Sequence, residues 1–223
     1  MAANLRQALA DGGLPSQGFS RVLAMTDSCV LLIPIEEFTE EQADVLYRHV
    51  YGMERSDVIL HTVLPNQNAV AVFAVNGDLQ TVLNDRFTDV RFMPLMQPVW
   101  SYLHKRSFTG MRRKLYVYVH DREADVFAFR QSRFIFCNRF DATAISDVAY
   151  YILNVWKQLG MDVNHDELHL VHTEAGNDEL TETLKTYIHN TYLLNPSADF
   201  NRAPVTGIRN MPFDLQTLFA KGR

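Results

Sequence analysis

Between residues 114 and 185 the chain alternates apolar and polar positions in short, well-separated blocks. In 114–120 (KLYVYVH), Leu115, Val117 and Val119 share one side of an extended segment, and Tyr116, Tyr118 and His120 take the other. The pattern repeats in 125–130 (DVFAFR), where Phe127 and Phe129 share a side, and in 133–140 (RFIFCNRF), where Phe134 and Phe136 do. Both sides are apolar, which predicts a sheet covered on both faces. The period then changes. Ala149, Ile152, Leu153, Trp156 and Leu159 fall on one stripe of a helix predicted over 147–159, with Gly160 as its stop. A strand over 167–172 and a helix over 178–188 complete the block. Its order is βββαβα, and very short turns join the first three strands.

Upstream the pattern is coarser. Residues 1–21 carry Gly12, Gly13, Pro15 and Gly18, which predict a loosely structured segment. The apolar run 28–34 reads as a buried strand. Thr39 stands as the N-cap of a helix, with Gln42 at the spacing of a capping box. Ala43, Leu46, Tyr47 and Val50 form the apolar face of that helix, and Gly52 ends it. Strands over 57–64 and 69–75 flank a turn at Pro65, Asn66, Gln67 and Asn68, as in a hairpin. Gly77 and Asp78 open a helix with Leu79, Val82, Leu83 and Phe87 on one side. A strand over 89–93 follows, then a helix over 94–103 with Pro98 in its first turn. The polar stretch 104–113 (HKRSFTGMRR) reads as a hinge.

This divides the chain into a loose segment 1–21, a first lobe 22–106, a second lobe 107–195 and a tail 196–223 ending in a short docking helix over 213–219. Each lobe runs strands, helix, strand, helix, so the two are similar in layout. That order is the half-unit of the actin-like ATPase and ribonuclease H-like superfold, an α/β (α+β) architecture with mixed sheets.

Composition changes this picture little. With 223 residues, 47% hydrophobic and 21% charged, the chain has material for an ordinary globular core. A formal net charge of -5 gives no global attraction to nucleic acid or to an anionic membrane. Cys29 and Cys137 both lie in apolar runs and read as buried thiols in a reducing compartment. The longest apolar run, 29–35 (CVLLIPI), falls far short of the ~20 residues of a membrane helix. The first 19 residues have no signal-peptide core. The expectation is a soluble, cytoplasmic protein without membrane insertion.

The chemistry is where the block departs from its superfold. Such a lobe binds phosphate at the turn after its first strand, through the pattern apolar-Asp-apolar-Gly. The Asp organises a metal or water, and the Gly lets backbone N–H groups approach the phosphate. Here Tyr118 takes the place of the Asp and His120 that of the Gly. One register on, Asp121 is followed by Arg122 and Glu123, where small residues are needed. The nucleoside grip, a Gly pair after the later strand, is replaced by His172, Thr173, Glu174, Ala175, Gly176 and Asn177, with one displaced glycine. An interlobe cleft is expected to be lined by Tyr118, His120, Asp121, Asp125, His172, Thr173, Glu174, Gly176 and Asn177. No catalytic residue and no metal site is assigned. Asp121, Asp125 and Asp141 could hold Mg2+ as nuclease carboxylates do, but that class needs a carboxylate in the middle of its first strand, where Tyr118 stands. His165, His169 and His172 are close in sequence, yet His169 and His172 have opposite strand parity.

Lys105, Arg106, Arg112, Arg113 and Lys114 form the dense basic cluster of the chain, read as a solvated hinge and, in the alternative, as an RNA contact. The aromatic strands around Tyr116, Phe134 and Phe136 are not an RNA-recognition sheet, because a hairpin rather than a helix follows the first strand. There is no P-loop, dinucleotide glycine fingerprint or Ser-His-Asp context.

The runs LYVYVHDREADVFAFRQSRFIFCNRF, DVAYYILNVWKQLGMD and ELHLVHTEAGNDELTETLKTYI, with CVLLIPIEEFTEEQADVLYRHVYG upstream, resemble the domain of unknown function 3822 family of uncharacterised Bacteroidetes proteins. The resemblance implies an actin-like ATPase fold laid out like the pilus-assembly and secretion scaffolds PilM and GspL. It brings no activity and no catalytic residues. Such folds open with a strand hairpin that forms the first phosphate loop. Residues 1–27 are too short and glycine-broken to supply it fully, which implies either a trimmed first lobe or a start of the chain that is not the ancestral one. The resulting expectation is a scaffold or protein-interaction module that has lost its ATPase motifs, with no cofactor and an unidentified protein partner. One alternative is an actin-like ATPase holding ATP and Mg2+ with Asp121, Asp125, Thr173 and Gly176. A weaker one is an RNA-associated factor acting through the basic cluster.

Overall fold

A computed structural model describes residues 2–12, 19–52, 57–141, 143–172, 178–194, 204–208 and 210–220. The chain divides into two compact units, Met1–Gln97 and Pro98–Arg223.

The first unit opens with helix α1 (Ala2–Ala10), where the sequence predicts a loose segment. Strand β1 (Arg21–Thr26), also unforeseen, pairs in parallel with β5 (Asp89–Pro94). The remaining elements are β2 (Val30–Pro34), α2 (Glu40–Tyr51), β3 (Asp57–Leu64), β4 (Ala69–Asn76) and α3 (Gly77–Arg86). β4 is the centre of an antiparallel sheet of order β2-β4-β3, and all its residues before Asn76 are buried. The β3–β4 turn is the expected one: Asn68 takes the left-handed conformation at φ 50°, which asparagine tolerates better than most residues.

α2 ends as predicted, at Gly52 with φ 60°. Two details of this helix differ from expectation. The Thr39 side chain makes no capping hydrogen bond. The buried stripe is Ala43 and Tyr47, with Tyr51 beside them, while Leu46 and Val50 are exposed. The tyrosines decide this rotation. Tyr47 donates to the carbonyl of Cys29 at 2.6 Å and Tyr51 to that of Val30 at 3.0 Å, fixing α2 to the start of β2.

The second unit contains α4 (Gln97–Ser107, from its second residue), β6 (Lys114–His120), β7 (Glu123–Arg130), β8 (Arg133–Asp141), α5 (Ile145–Gln158), β9 (Glu167–His172), α6 (Asp178–Lys185), β10 (Thr191–Leu193) and α7 (Phe213–Ala220). Its sheet has the order β10-β9-β6-β7-β8. β7 is antiparallel to β6 and β8, and β9 is parallel to β6. The stretch 104–113, read as a hinge, is the end of α4 and its turn into β6, inside this unit.

Both faces of the sheet are covered, as the alternation requires. Leu115, Val117, Val126 and Ala128 pack under α5 and α6 with Ile152, Val155, Trp156 and Leu184. Each large side chain so buried contributes about 1.5–3 kcal/mol. The opposite face is aromatic: Tyr116 stacks on Phe127, Phe127 meets Phe129 edge to face, Phe129 meets His104 from α4 and, through Phe134, Trp100, and Tyr118 meets Phe213 from α7. One expectation fails here. A register shift between Ala128 and Phe129 sets Phe134 opposite Phe129 and Phe136 opposite Ala128, so the two phenylalanines face opposite ways. The ring of Phe134 meets Trp100 while Phe136 joins the aliphatic core. Among the described residues no helix is long and apolar enough to cross a membrane.

Candidate functional site

The end of β6, where a phosphate loop belongs in this superfold, is a tight hairpin. Asp121 and Arg122 both have positive φ, 44° and 66°, the backbone of a two-residue turn that joins twisted strands. Cross-strand register then sets the side chains. Tyr118, Asp125 and Arg139 stand in one row across β6, β7 and β8, and His120, Glu123 and Asp141 in the next.

Apart from Asp141, these residues form a polar network, buried at Tyr118, His120 and Asp125 and half-buried at Glu123 and Arg139. The His120 ring stacks on Tyr118, with centroids 4.5 Å apart. His120 Nε2 lies 2.8 Å from Asp125 Oδ2. Arg139 Nε donates to both Asp125 oxygens, at 3.1 and 3.2 Å, and its Nη1 lies 2.9 Å from Glu123 Oε2. On the other side, Tyr118 donates through its hydroxyl to Asp214 Oδ2 of α7 at 2.9 Å. Burial raises the pKa of the Tyr118 phenol far above its usual range, and the Asp214 charge pushes it further up. Burial likewise raises Asp214, against the Tyr118 hydrogen bond, which lowers it.

Of the residues assigned to a cleft, Tyr118, His120 and Asp125 come together in this network. Asp121 sits in the exposed turn, 3.6 Å from His120 Nδ1. His172 ends β9. Thr173, Glu174, Gly176 and Asn177 lie outside the described residues. Asp141 is exposed at the end of β8, opposite Glu123.

The basic cluster does not form one solvated patch. Lys114 is buried, and its Nζ donates to the carbonyl of Arg106 at 3.0 Å, to Thr109 Oγ1 at 2.9 Å and to the Thr109 carbonyl. Burial lowers its pKa. Arg113 donates to the carbonyls of Leu159 and Gly160, at 3.2 and 2.7 Å, and to Asp166 at 2.5 Å, so it caps the C-terminal end of α5. Arg106 donates to the Tyr102 hydroxyl at 3.1 Å, and Arg112 lies 3.8 Å from Glu167. Lys105 is exposed. The histidines are dispersed too. His165 pairs with Asp162, while His169 pairs with Glu167 at 2.9 Å between the rings of Tyr116 and Tyr192.

Sequence reasoning missed Arg139 and Asp214. A register count from the β7–β8 turn would set Asn138 opposite Asp125; the shift between Ala128 and Phe129 brings Arg139 there instead. Asp214 is 96 residues from Tyr118 and leaves no local signal.

The two units and the βββαβα order of the second define an α/β protein of the actin-like ATPase fold. The chain matches the sequence profile of the proteins of unknown function DUF3822 over residues 1–191, and it belongs to that family. It is similar to a Bacteroides thetaiotaomicron protein with an actin-like ATPase fold and unknown function, at 28% identity and a TM-score of 0.84, over 98% of this chain and 80% of that one. It also resembles the PilM-PilN type IV pilus biogenesis complex, at 11% identity and a TM-score of 0.53, over 98% of this chain and 83% of that one, a likeness of fold. No curated protein matches the chain.

Proposed function

We propose that this chain is a non-catalytic member of the actin-like fold and works through contacts with another protein. One observation carries the reading. The two side chains that replace the phosphate-loop Asp and Gly, Tyr118 and His120, are buried and bonded to Asp214 and Asp125. A phosphate needs backbone N–H groups that it can approach closely and a carboxylate that can organise a cation or water. Here an aromatic ring and an imidazole stand on that strand end, and the buried carboxylates beside them, Asp125 and Asp214, are engaged by Arg139 and Tyr118. The ATP-binding alternative therefore loses one of its named ligands. The RNA alternative loses Arg113 and Lys114 to structural roles. That a protein of the same fold is known in a two-protein assembly, PilM-PilN, supports the choice of a protein partner.

The test is thermal melting with ATP and Mg2+. A ligand that binds only the folded chain raises the melting temperature in proportion to ln(1 + [L]/Kd). No shift is expected at millimolar nucleotide, and a partner captured by affinity purification should bind equally with and without ATP. A saturable shift with ATP and Mg2+, or capture that depends on nucleotide, would overturn the proposal.

A further inference from the structure

We infer that the Arg139 guanidinium fills a divalent-cation position at the end of the β6–β7 hairpin, so that the charge a metal would bring is built into the chain. The inference deepens the reading above and rests on its view that this end of the sheet is closed. His120, Glu123 and Asp125 each offer one ligand atom, and the three atoms lie within 4.8 Å of one another. Zinc bonds to nitrogen and oxygen ligands at about 2.0–2.2 Å, so its ligand atoms stand no more than about 4.4 Å apart, and these three would have to draw in slightly to share one ion. One imidazole and two carboxylates are a donor set suited to zinc, whereas magnesium prefers oxygen ligands alone.

The two carboxylates of this set are already engaged by a cation, and His120 Nε2 lies 2.8 Å from Asp125. Arg139 Nε reaches both Asp125 oxygens and Nη1 reaches Glu123, so the guanidinium bridges the same two carboxylates that a metal would bridge. Burial calls for a partner at Asp125. The Asp125 side chain is 6% exposed and that of His120 4%. A carboxylate as buried as Asp125 needs a positive or hydrogen-bonding partner, whereas Glu123, 26% exposed, keeps contact with water. A guanidinium meets that need with several donors in one fixed plane, which a lysine ammonium does not offer.

The experiment compares Arg139→Ala with the wild-type chain in zinc. Removing the guanidinium takes away the cation shared by Asp125 and Glu123 and should lower the melting temperature by about 10 °C. Micromolar free zinc should recover most of that loss, with one zinc bound per chain by competition with a chromophoric chelator. The same zinc should leave the wild type unchanged. In Arg139→Ala/His120→Ala the loss should persist without recovery, which separates this site from zinc held at an exposed pair such as His165 and Asp162. Arg139→Lys should melt between wild type and Arg139→Ala and gain nothing from zinc.

Should Arg139→Ala be recovered only unfolded, refolding with and without zinc gives the same reading. A zinc-dependent native yield supports the inference, and a yield indifferent to zinc overturns it. It is equally overturned if folded Arg139→Ala ignores zinc, or if the wild type binds one zinc that His120→Ala removes. The nucleotide melts remain independent. Wild-type binding of ATP beside a zinc-rescued Arg139→Ala would defeat the proposed function and leave this inference standing, and the reverse pattern would do the opposite.

Discussion

Tyr116 and Tyr118 stand two residues apart on β6, face the same way and are both fully buried, yet their hydroxyls have different fates. That of Tyr118 donates to Asp214. That of Tyr116 has no hydrogen-bond partner among the described residues, and burial raises its pKa well beyond the usual phenol value. The same substitution should therefore act differently at the two sites. Tyr118→Phe leaves Asp214 buried without its donor and should cost about 1–3 kcal/mol in urea denaturation. Tyr116→Phe removes an unsatisfied group and should be neutral or stabilising. Equal losses at both positions would show that the Tyr118–Asp214 bond has no special weight. None of this was legible in the sequence, where alternation gives both tyrosines one reading. Which hydroxyl is satisfied depends on α7, brought in from the far end of the chain.

At the scale of elements, the docking of α7 turns on the same bond. Phe213 fits between the rings of Tyr102 and Tyr118, and Asp214 enters the buried face beside Tyr118 and His120. Burial holds the Asp214 carboxyl above its ordinary 3.8, while His120 acts in the lowering direction. A raised folded-state pKa means that the docked helix binds this proton more tightly than the unfolded chain does. The corresponding stability is complete below the unfolded pKa and is lost as pH rises through the folded one. Asp214→Asn keeps an oxygen to accept from Tyr118 and removes the charge. Its melting temperature should match wild type at low pH and exceed it increasingly as pH rises from 3.8 past the raised value. A gap that does not change with pH would contradict this account of the dock.

Elements with local signals were read correctly. Asn68 and Gly52 mark turns by their backbone needs, and the βββαβα block declares itself by a change of period. β1 was missed because its partner, β5, lies far along the chain, and β10 because three residues carry no period. α1 was hidden by the glycines that follow it. The faces of Phe134 and Phe136 were misread because a bulge breaks parity without a mark in composition.

At the scale of the whole molecule, the comparisons speak to the fold. Family membership over residues 1–191 and the likeness to the Bacteroides protein establish an actin-like ATPase fold. The fold was legible because topology follows from the order and length of elements. The site was legible only in the negative: Tyr118 and His120 showed that the usual phosphate loop was altered, but not that Asp125, Arg139 and Asp214 would engage them. Those partners come from three other elements and are assembled only by sheet register and helix docking. The central claim is that the end of β6 is filled by the chain's own side chains and receives no nucleotide. Its most direct test is an amide 1H–15N titration with ATP and Mg2+, following Tyr118 to Asp125. The account predicts resonances that stay in place up to millimolar nucleotide; saturable shifts confined to these residues would contradict it.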